Sequence, residues 1–503
     1  MKAFLMHPDQ DLDLELGLPA KAAALTQDLE LTILLADMAA GDRYVYDVAT
    51  RVVLTSLEDA DAIRYRQGIL ADCLSHPAVA RELYAIAVEA IERERRVWGG
   101  GGLSRLPDSL LRRSVDVVEL FVGSLKRLRD VAKEHASDFA SEGFARFFAM
   151  VAAELNDDYL QTVQEHLKRL RFNGGVPVSA NLGAGNRGKN YVLRRRDRAS
   201  GWRARLGLPD SQSYVYQLPE RDEAGADILR ELRGRGLSLA ANALGQSTDH
   251  ILNFFRQLRA ELAFYVGCLN AYERLVQIGE PICLPVPTAA GSPTLSCLGL
   301  YDICLSLGMA DRIVGNDVNA VDKALVLITG ANRGGKSTFL RSIGLAQLMM
   351  QCGMFVAAEA FTADTCHGLF THFKREEDAS LGSGKLDEEL SRMSSIVDQV
   401  TRGSLVLLNE SFASTNEREG SEIGRQIVRA LIESGVKVFY VTHMFDLAHG
   451  FWVDREANAL FLRAERLPDG TRTFRLEQGE PLPTSYGVDV YRRVFGAVAG
   501  ASE

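Results

Sequence analysis

The stretch Ala324–Thr338 constrains this chain more than any other: an apolar run, ALVLIT, passes directly into GANRGGKST and then into FLRSIGLAQLMMQ. Strand, glycine-rich turn and helix in that order meet the spacing G-x-x-x-x-G-K-[ST] in the context that holds a phosphate group. Gly330, Gly334 and Gly335 permit tight curvature, so several backbone N–H groups can converge on one anion. The start of the following helix adds partial positive charge. Lys336 is placed to reach β- and γ-phosphates, and the Ser337 hydroxyl to ligate Mg²⁺. The expected cofactors are therefore ATP and Mg²⁺, with the nucleotide held by Gly330, Asn332, Gly334, Gly335, Lys336, Ser337 and Thr338. A plain turn joining strand to helix is the rival reading.

Two later strands supply the rest of such a site. SLVLLNES (Ser404–Ser411) reads as a buried parallel strand whose C-terminal end points at the nucleotide. Where most phosphate-loop ATPases carry Asp-Glu, this chain has Asn409-Glu410. Glu410 keeps the candidate catalytic base. Asn409 can accept a hydrogen bond from a Mg²⁺-bound water but brings no charge, which predicts weaker Mg²⁺ retention or slower turnover. VKVFYVTH (Val436–His443) ends in a histidine that could sense the γ-phosphate or merely cap the next helix. Glu410, His443 and Lys336 are the candidate catalytic residues, and Ser337 and Asn409 the candidate metal-site residues.

The rest of the chain bounds the context. Its 503 residues, 47% hydrophobic and 24% charged, are enough for several cores. A net charge of −9 excludes a protein that coats nucleic acid by overall charge. Seven cysteines without a C-x-x-C pair argue for a reducing compartment. The start MKAFLMHPDQDLDLELG lacks the pattern of a secretory signal, and no apolar run approaches a membrane span. A cytoplasmic protein with no membrane partner is expected.

Composition divides the chain into three regions. Residues 1–108 read as mostly helical, with a short strand predicted at Tyr44–Val53 and an end at Gly99–Gly102 and Pro107. Residues 109–280 form a helical region, with Leu111, Val115, Val118, Phe121, Val122 and Leu125 at helical spacing. A small β insertion rich in glycine and proline interrupts it at about 173–225. Beyond that insertion, Ile251, Phe255, Leu258, Leu262, Tyr265, Leu269 and Tyr272 make a heptad seam. It suits one helix packed in a core, or a coiled-coil dimer. Four prolines within 281–295 mark the start of the third region, 281–503, where strand and helix alternate and predict a mostly parallel sheet.

In combination these segments resemble the MutS family of mismatch-repair ATPases. The residues that carry the likeness are VGNDV (Val314–Val318), Leu327–Phe361 around the glycine-rich loop, LVLLNESFASTNEREG (Leu405–Gly420), VTHMFDL (Val441–Leu447) and SYGVDVYRRVFG (Ser485–Gly496). The departures are Asn409, Ala331, Arg333, and Phe412 and Ser414 in place of signature glycines. The resemblance implies a multidomain α and α/β protein: a helical lever region with a β insertion, then a P-loop, ABC-like ATPase domain. It implies Asn316 as a nucleotide contact. It also implies a homodimer in which Ser414, Thr415 and Asn416 complete the partner's ATP site. Only about 300 residues precede the ATPase segment, so a divergent member lacking the N-terminal mismatch-reading domain is expected.

Arg187, Lys189, Arg194, Arg195, Arg196 and Arg198 cluster in the β insertion, where the resembled family places its DNA clamp. They read as phosphate contacts or as a solvated loop that binds nothing. Lys374–Ile396 resembles the family's loop and helix that couple nucleotide to lever; the alternative is an ordinary charged crossover helix in which Glu388, Glu389 and Arg392 are an exposed set. The leading expectation is an ATP-binding, ATP-hydrolysing protein that binds DNA in mismatch repair or recombination through dimer closure. The alternative is an ATP-switched scaffold with slow hydrolysis and no direct DNA role.

Overall fold

The computed structural model describes residues 1–99, 107–172, 176, 178–182, 184, 188–194, 223–291, 293–375, 384–454 and 458–483. Helices α1 (Ala22–Asp28), α2 (Leu31–Ala39), α3 (Arg43–Leu54), α4 (Ala60–Ser75) and α5 (Pro77–Gly99) open the chain. They are followed by α6 (Pro107–His135), α7 (Glu142–Glu154), α8 (Asp157–Leu170), strands β1 (Val178–Leu182) and β2 (Gly188–Leu193), and α9 (Glu223–Ile278). Two compact units interleave in sequence. One takes Met1–Ala3, Arg81–Asp138 and Ala145–Arg259, the other Phe4–Ala80, Phe139–Phe144 and Ala260–Glu503. These units cut the chain differently from the three consecutive regions drawn from composition, because residues 4–80 belong with the C-terminal sheets.

The strand predicted at Tyr44–Val53 is a helix, α3. Its valines favour a strand by propensity, but Asp42 accepts hydrogen bonds from the Tyr44 and Val45 amides and caps a helix start. Val45, Val48, Ala49, Val52 and Val53 then fall on one buried helical face, so packing overrides propensity.

In the first unit, Leu111, Val115, Val118 and Val122 of α6 pack with Leu160 and Leu167 of α8 and with Leu237 and Ala241 of α9. Phe121 and Leu125 of α6 are buried as well. The β insertion is an antiparallel pair, β1 with β2, whose register slips between Ser179 and Asn181.

In the second unit, Glu261 to Leu269 of α9 are buried on every side of the helix. That is the signature of a core helix rather than of a two-stranded seam, which buries one stripe. This core also grips the N-terminal strap. The Glu261 carboxylate accepts from the Leu5 amide at 2.6 Å, Tyr265 donates to the Leu5 carbonyl at 2.5 Å, and Arg66 donates to the Met6 carbonyl at 2.9 Å. Burial pushes the Glu261 carboxyl up to about 7. The folded form therefore holds a proton that the unfolded chain releases above about 4.5. This group lowers stability by roughly 3 kcal/mol as pH rises from about 4.5 to 7. Glu261→Gln is expected to remove that slope. In urea melts at pH 5 and pH 8, the gap between variant and wild type should move in the variant's favour at the higher pH. A gap that does not move with pH would refute this.

The sheets of this unit are built from β3 (Val286–Thr288), β4 (Leu295–Leu300), β5 (Asn316–Asn319), β6 (Leu325–Gly330), β7 (Ala360–Asp364), β8 (Leu369–Phe373), β9 (Leu405–Asn409), β10 (Lys437–Val441), β11 (Ala459–Arg466) and β12 (Arg472–Gln478). Helices α10 (Ile303–Met309), α11 (Lys336–Gln351), α12 (Lys385–Val397), α13 (Glu417–Glu433) and α14 (Phe445–Val453) connect them. One sheet has the order β12-β11-β6-β10-β9-β8. Its neighbours from β11 to β8 pair parallel, and β12 joins antiparallel at the edge. The smaller sheet has the order β3-β7-β4-β5. β6, β9 and β10 are apolar runs buried nearly throughout, as strands covered on both faces must be. Val406, Leu408, Val438 and Tyr440 face Val428 and Leu431 of α13 and Leu447 and Phe451 of α14. Gly344 of α11 allows close packing: a Cβ there would lie 2.8 Å from Leu29 and from Leu407.

Candidate active site

The glycine-rich loop leaves the C-terminal end of β6 and enters α11. Gly330, Arg333 and Gly335 take left-handed backbone, with φ of 102°, 59° and 88°. Gly334 is confined by its surroundings, since a Cβ there would lie 2.8 Å from the Ala464 methyl and 2.9 Å from the Ala331 carbonyl oxygen. The Lys336 ammonium is folded back over this turn, donating to the carbonyls of Gly330 at 2.9 Å and Ala331 at 3.0 Å. Burial holds its pKa below the usual lysine range, partly offset by the nearby Glu410 carboxylate. The curvature of the loop is thus set by its own residues, with the lysine folded over it.

β10 separates β6 from β9, so the ends of three adjacent parallel strands meet above the sheet. Ser337, one residue into α11, donates to the Asn409 side-chain oxygen at 2.9 Å across 72 residues of chain. Glu410 follows with left-handed backbone, φ 51°, its amide donating to the Val441 carbonyl at 2.8 Å. His443 Nδ1 lies 3.9 Å from Glu410 Oε1, and both side chains are partly exposed. Thr442, rather than His443, accepts the Met444 amide at 3.0 Å ahead of α14. Lys336, Ser337, Asn409, Glu410 and His443, read from three separate segments of sequence, are therefore brought together at one end of the sheet.

Asn316 is buried, but its amide is occupied. It donates to the Phe474 carbonyl at 3.2 Å and accepts from the Leu476 amide at 2.7 Å, anchoring β12 beside the loop. Ser414, Thr415 and Asn416 are engaged within the chain. Ser414 donates to Glu389, Thr415 donates to Glu419, and Asn416 caps α13 by accepting from the Glu419 amide. Gly420 is required by this arrangement, because a Cβ would lie 2.4 Å from the Phe412 carbonyl oxygen. Glu389 and Arg392 do not form an exposed pair. Glu389 is buried, and Arg392 donates to the Phe373 carbonyl at 2.8 Å, docking α12 on the end of β8.

In the β insertion, Lys189 lies on β2 and Arg194 just past it, where Arg194 donates to the Ser179 hydroxyl at 2.7 Å. Arg187, Arg195, Arg196 and Arg198 lie outside the described residues, as does Ser485–Gly496.

Sequence reasoning missed the edge hairpin. A cavity of about 370 Å³ adjoins the loop, lined among others by Tyr301, Val314, Asn316, Arg333, Thr338 and Phe474. Arg472 donates to the Asn332 carbonyl at 3.4 Å. The available signal was LPDGT, turn residues between ALFLRAER and RTFRLEQ, which fold β12 back along β11.

Comparison with known proteins gives the class of this assembly first: a profile described as MutS domain V matches residues 326–496, and one described as MutS2 N-terminal domain matches residues 58–278. The chain is a MutS-related protein. It is 36% identical over 137 residues to the DNA mismatch repair protein MutS of Thermotoga neapolitana, covering 27% of this chain and 17% of that one. It is 33% identical over 179 residues to the DNA mismatch repair protein MutS of Thermus aquaticus, covering 36% and 22%. The chain thus spans about a fifth of the length of these relatives. Among the described residues no helix is long and apolar enough to cross a membrane.

Proposed function

We propose that this chain is a MutS-related ATPase that binds ATP with Mg²⁺ in the crevice above β6, β9 and β10 and hydrolyses it slowly. The observation that carries the reading is the 2.9 Å contact between Ser337 and Asn409, with Lys336 poised over the loop and Glu410 next in line. The amides of the loop and Lys336 bind the triphosphate, the lysine exchanging its two carbonyl partners for phosphate oxygens. Glu410 orients water for in-line attack, and His443 contacts the γ-phosphate end. Base and ribose enter the cavity beside Phe474 and Val314.

Ser337 and Asn409 suit Mg²⁺ as a hydroxyl ligand and a partner to a metal-bound water. The ion would neutralise charge developing on the phosphates. Because Asn409 is uncharged, Asn409→Asp is expected to tighten Mg²⁺ about tenfold or to raise turnover by a similar factor. Titration of Mg²⁺ into the ATP complex checks this, and no change in either quantity would show the missing charge to be immaterial.

In this reading, ATP joins two copies, with Ser414, Thr415 and Asn416 of each facing the other's loop. Closure would grip DNA through Lys189, Arg194 and their basic neighbours. The relatives named as DNA mismatch repair proteins support the DNA role. Asn409 and the net acidity favour a second reading, an ATP-switched scaffold that hydrolyses slowly without DNA. ATPase assays with no DNA and with duplex, mismatched and branched DNA separate the two. Stimulation by any DNA supports the first reading, and indifference to all of them supports the second. Failure to bind ATP by calorimetry rejects both.

A further inference from the structure

Glu410 and Phe412 both take left-handed backbone, φ 51° and 64°, on side chains that tolerate it poorly. Such strain persists only where the surroundings over-determine it. Here the surroundings converge on the residue between them. Ser411 is fully buried, and its carbonyl accepts from the Tyr440 hydroxyl at 2.7 Å. Its own hydroxyl lies 2.7 Å from His372 Nδ1 and 2.7 Å from the His372 carbonyl oxygen.

His372, on β8, is also fully buried. Its ring lies over Phe412, with centroids 5.5 Å apart and planes 22° from parallel. Its Nε2 lies 3.0 Å from the Glu389 carbonyl oxygen on α12. A carbonyl can only accept, so Nε2 carries the proton and Nδ1 is an acceptor, and the single proton of the Ser411 hydroxyl is shared between Nδ1 and the His372 carbonyl oxygen. The ring is neutral at ordinary pH, since burial and the nearby Arg392 lower its pKa to about 4. His372 is thus the one side chain in this set that holds Ser411 with one nitrogen and α12 with the other.

We propose that His372 is a positioning residue for Glu410: through Ser411 it holds the strained turn that aims the carboxylate, and through the Glu389 carbonyl it makes that aim depend on α12. The catalytic half of this inference rests on the ATPase reading above, whereas the tether itself does not.

Two substitutions divide the histidine's contacts. Asparagine places its amide oxygen near the position of Nδ1 and can still accept from Ser411. Glutamine places its amide nitrogen near Nε2, so of the two side-chain arms it keeps only the one to Glu389, and Ser411 is left with the backbone carbonyl of residue 372. For His372→Asn, turnover within about fivefold of wild type is expected, a single neutral hydrogen bond being exchanged. For His372→Gln and Ser411→Ala, kcat should fall roughly 30-fold or more with ATP affinity unchanged, as for a group acting only on the aim of a catalytic residue.

Hydrogen exchange of the peptide spanning 405–416 gives a readout free of activity. Its amides should open faster in His372→Gln and Ser411→Ala, and remain protected in His372→Asn. Equal exchange and equal kcat in the Asn and Gln variants would overturn the proposal and leave His372 a packing residue. A wild type that takes up no ATP would sink the ATPase reading instead, and the exchange pattern would still decide whether His372 tethers the turn.

Discussion

Lys336→Ala is expected to weaken ATP binding by roughly 100-fold, about 3 kcal/mol, the range for removing one partner of a buried charge-assisted contact. The ammonium sits over the turn with two backbone carbonyls as its partners and is largely withdrawn from water. Its desolvation cost is already met in the free protein, so a phosphate that replaces the carbonyls gains nearly the full attraction. The loop should survive the substitution, because its curvature is set by Gly330 and Gly335 in left-handed backbone and by the close approach of Gly334 to Ala464. Calorimetric titration of ATP measures the effect, and circular dichroism controls for folding. Unchanged affinity would mean that the lysine does not face the nucleotide.

Glu410→Gln is expected to lower hydrolysis by about 100-fold to 1000-fold while leaving ATP affinity within a factor of about three, as for loss of a water-orienting base. The side chain lies beside His443 at the end of β9 and near Lys336, and none of the loop contacts depends on it. Glutamine keeps its shape and removes only the charge. Single-turnover hydrolysis separates the chemical step from product release. Equal losses in affinity and rate would place Glu410 in binding rather than in catalysis.

How far the sequence alone reaches differs from element to element. The conformation of the glycine-rich loop was legible because the features that make it are local: a buried strand, glycines with positive φ, and a helix start, all within fifteen consecutive residues. Asn409, Glu410 and His443 were legible because apolar strands end abruptly in polar residues there. The helical face of α6 was legible from its period. The strand expected at Tyr44–Val53 is a helix because the cap at Asp42 and the three-four spacing that follows it outweigh β-branched composition. The apparent exposure of Glu389 and Arg392 failed because charge pattern says nothing about which helix face docks on β8.

What no reading of the chain alone could supply is proximity across long separations. Residues 4–80 join the C-terminal unit through contacts such as those of the Leu5 backbone with Glu261 and Tyr265 and of Arg66 with the Cys352 carbonyl, which leave no periodic trace. His372 lies 39 residues from Ser411 and 17 from Glu389, and only the neighbouring register of β8 and β9 brings them together. Local chemistry, carried by spacing and residue type, is written along the sequence. The pairing of a strained turn with the buried groups that hold it depends on strand order, and strand order is a property of the folded chain.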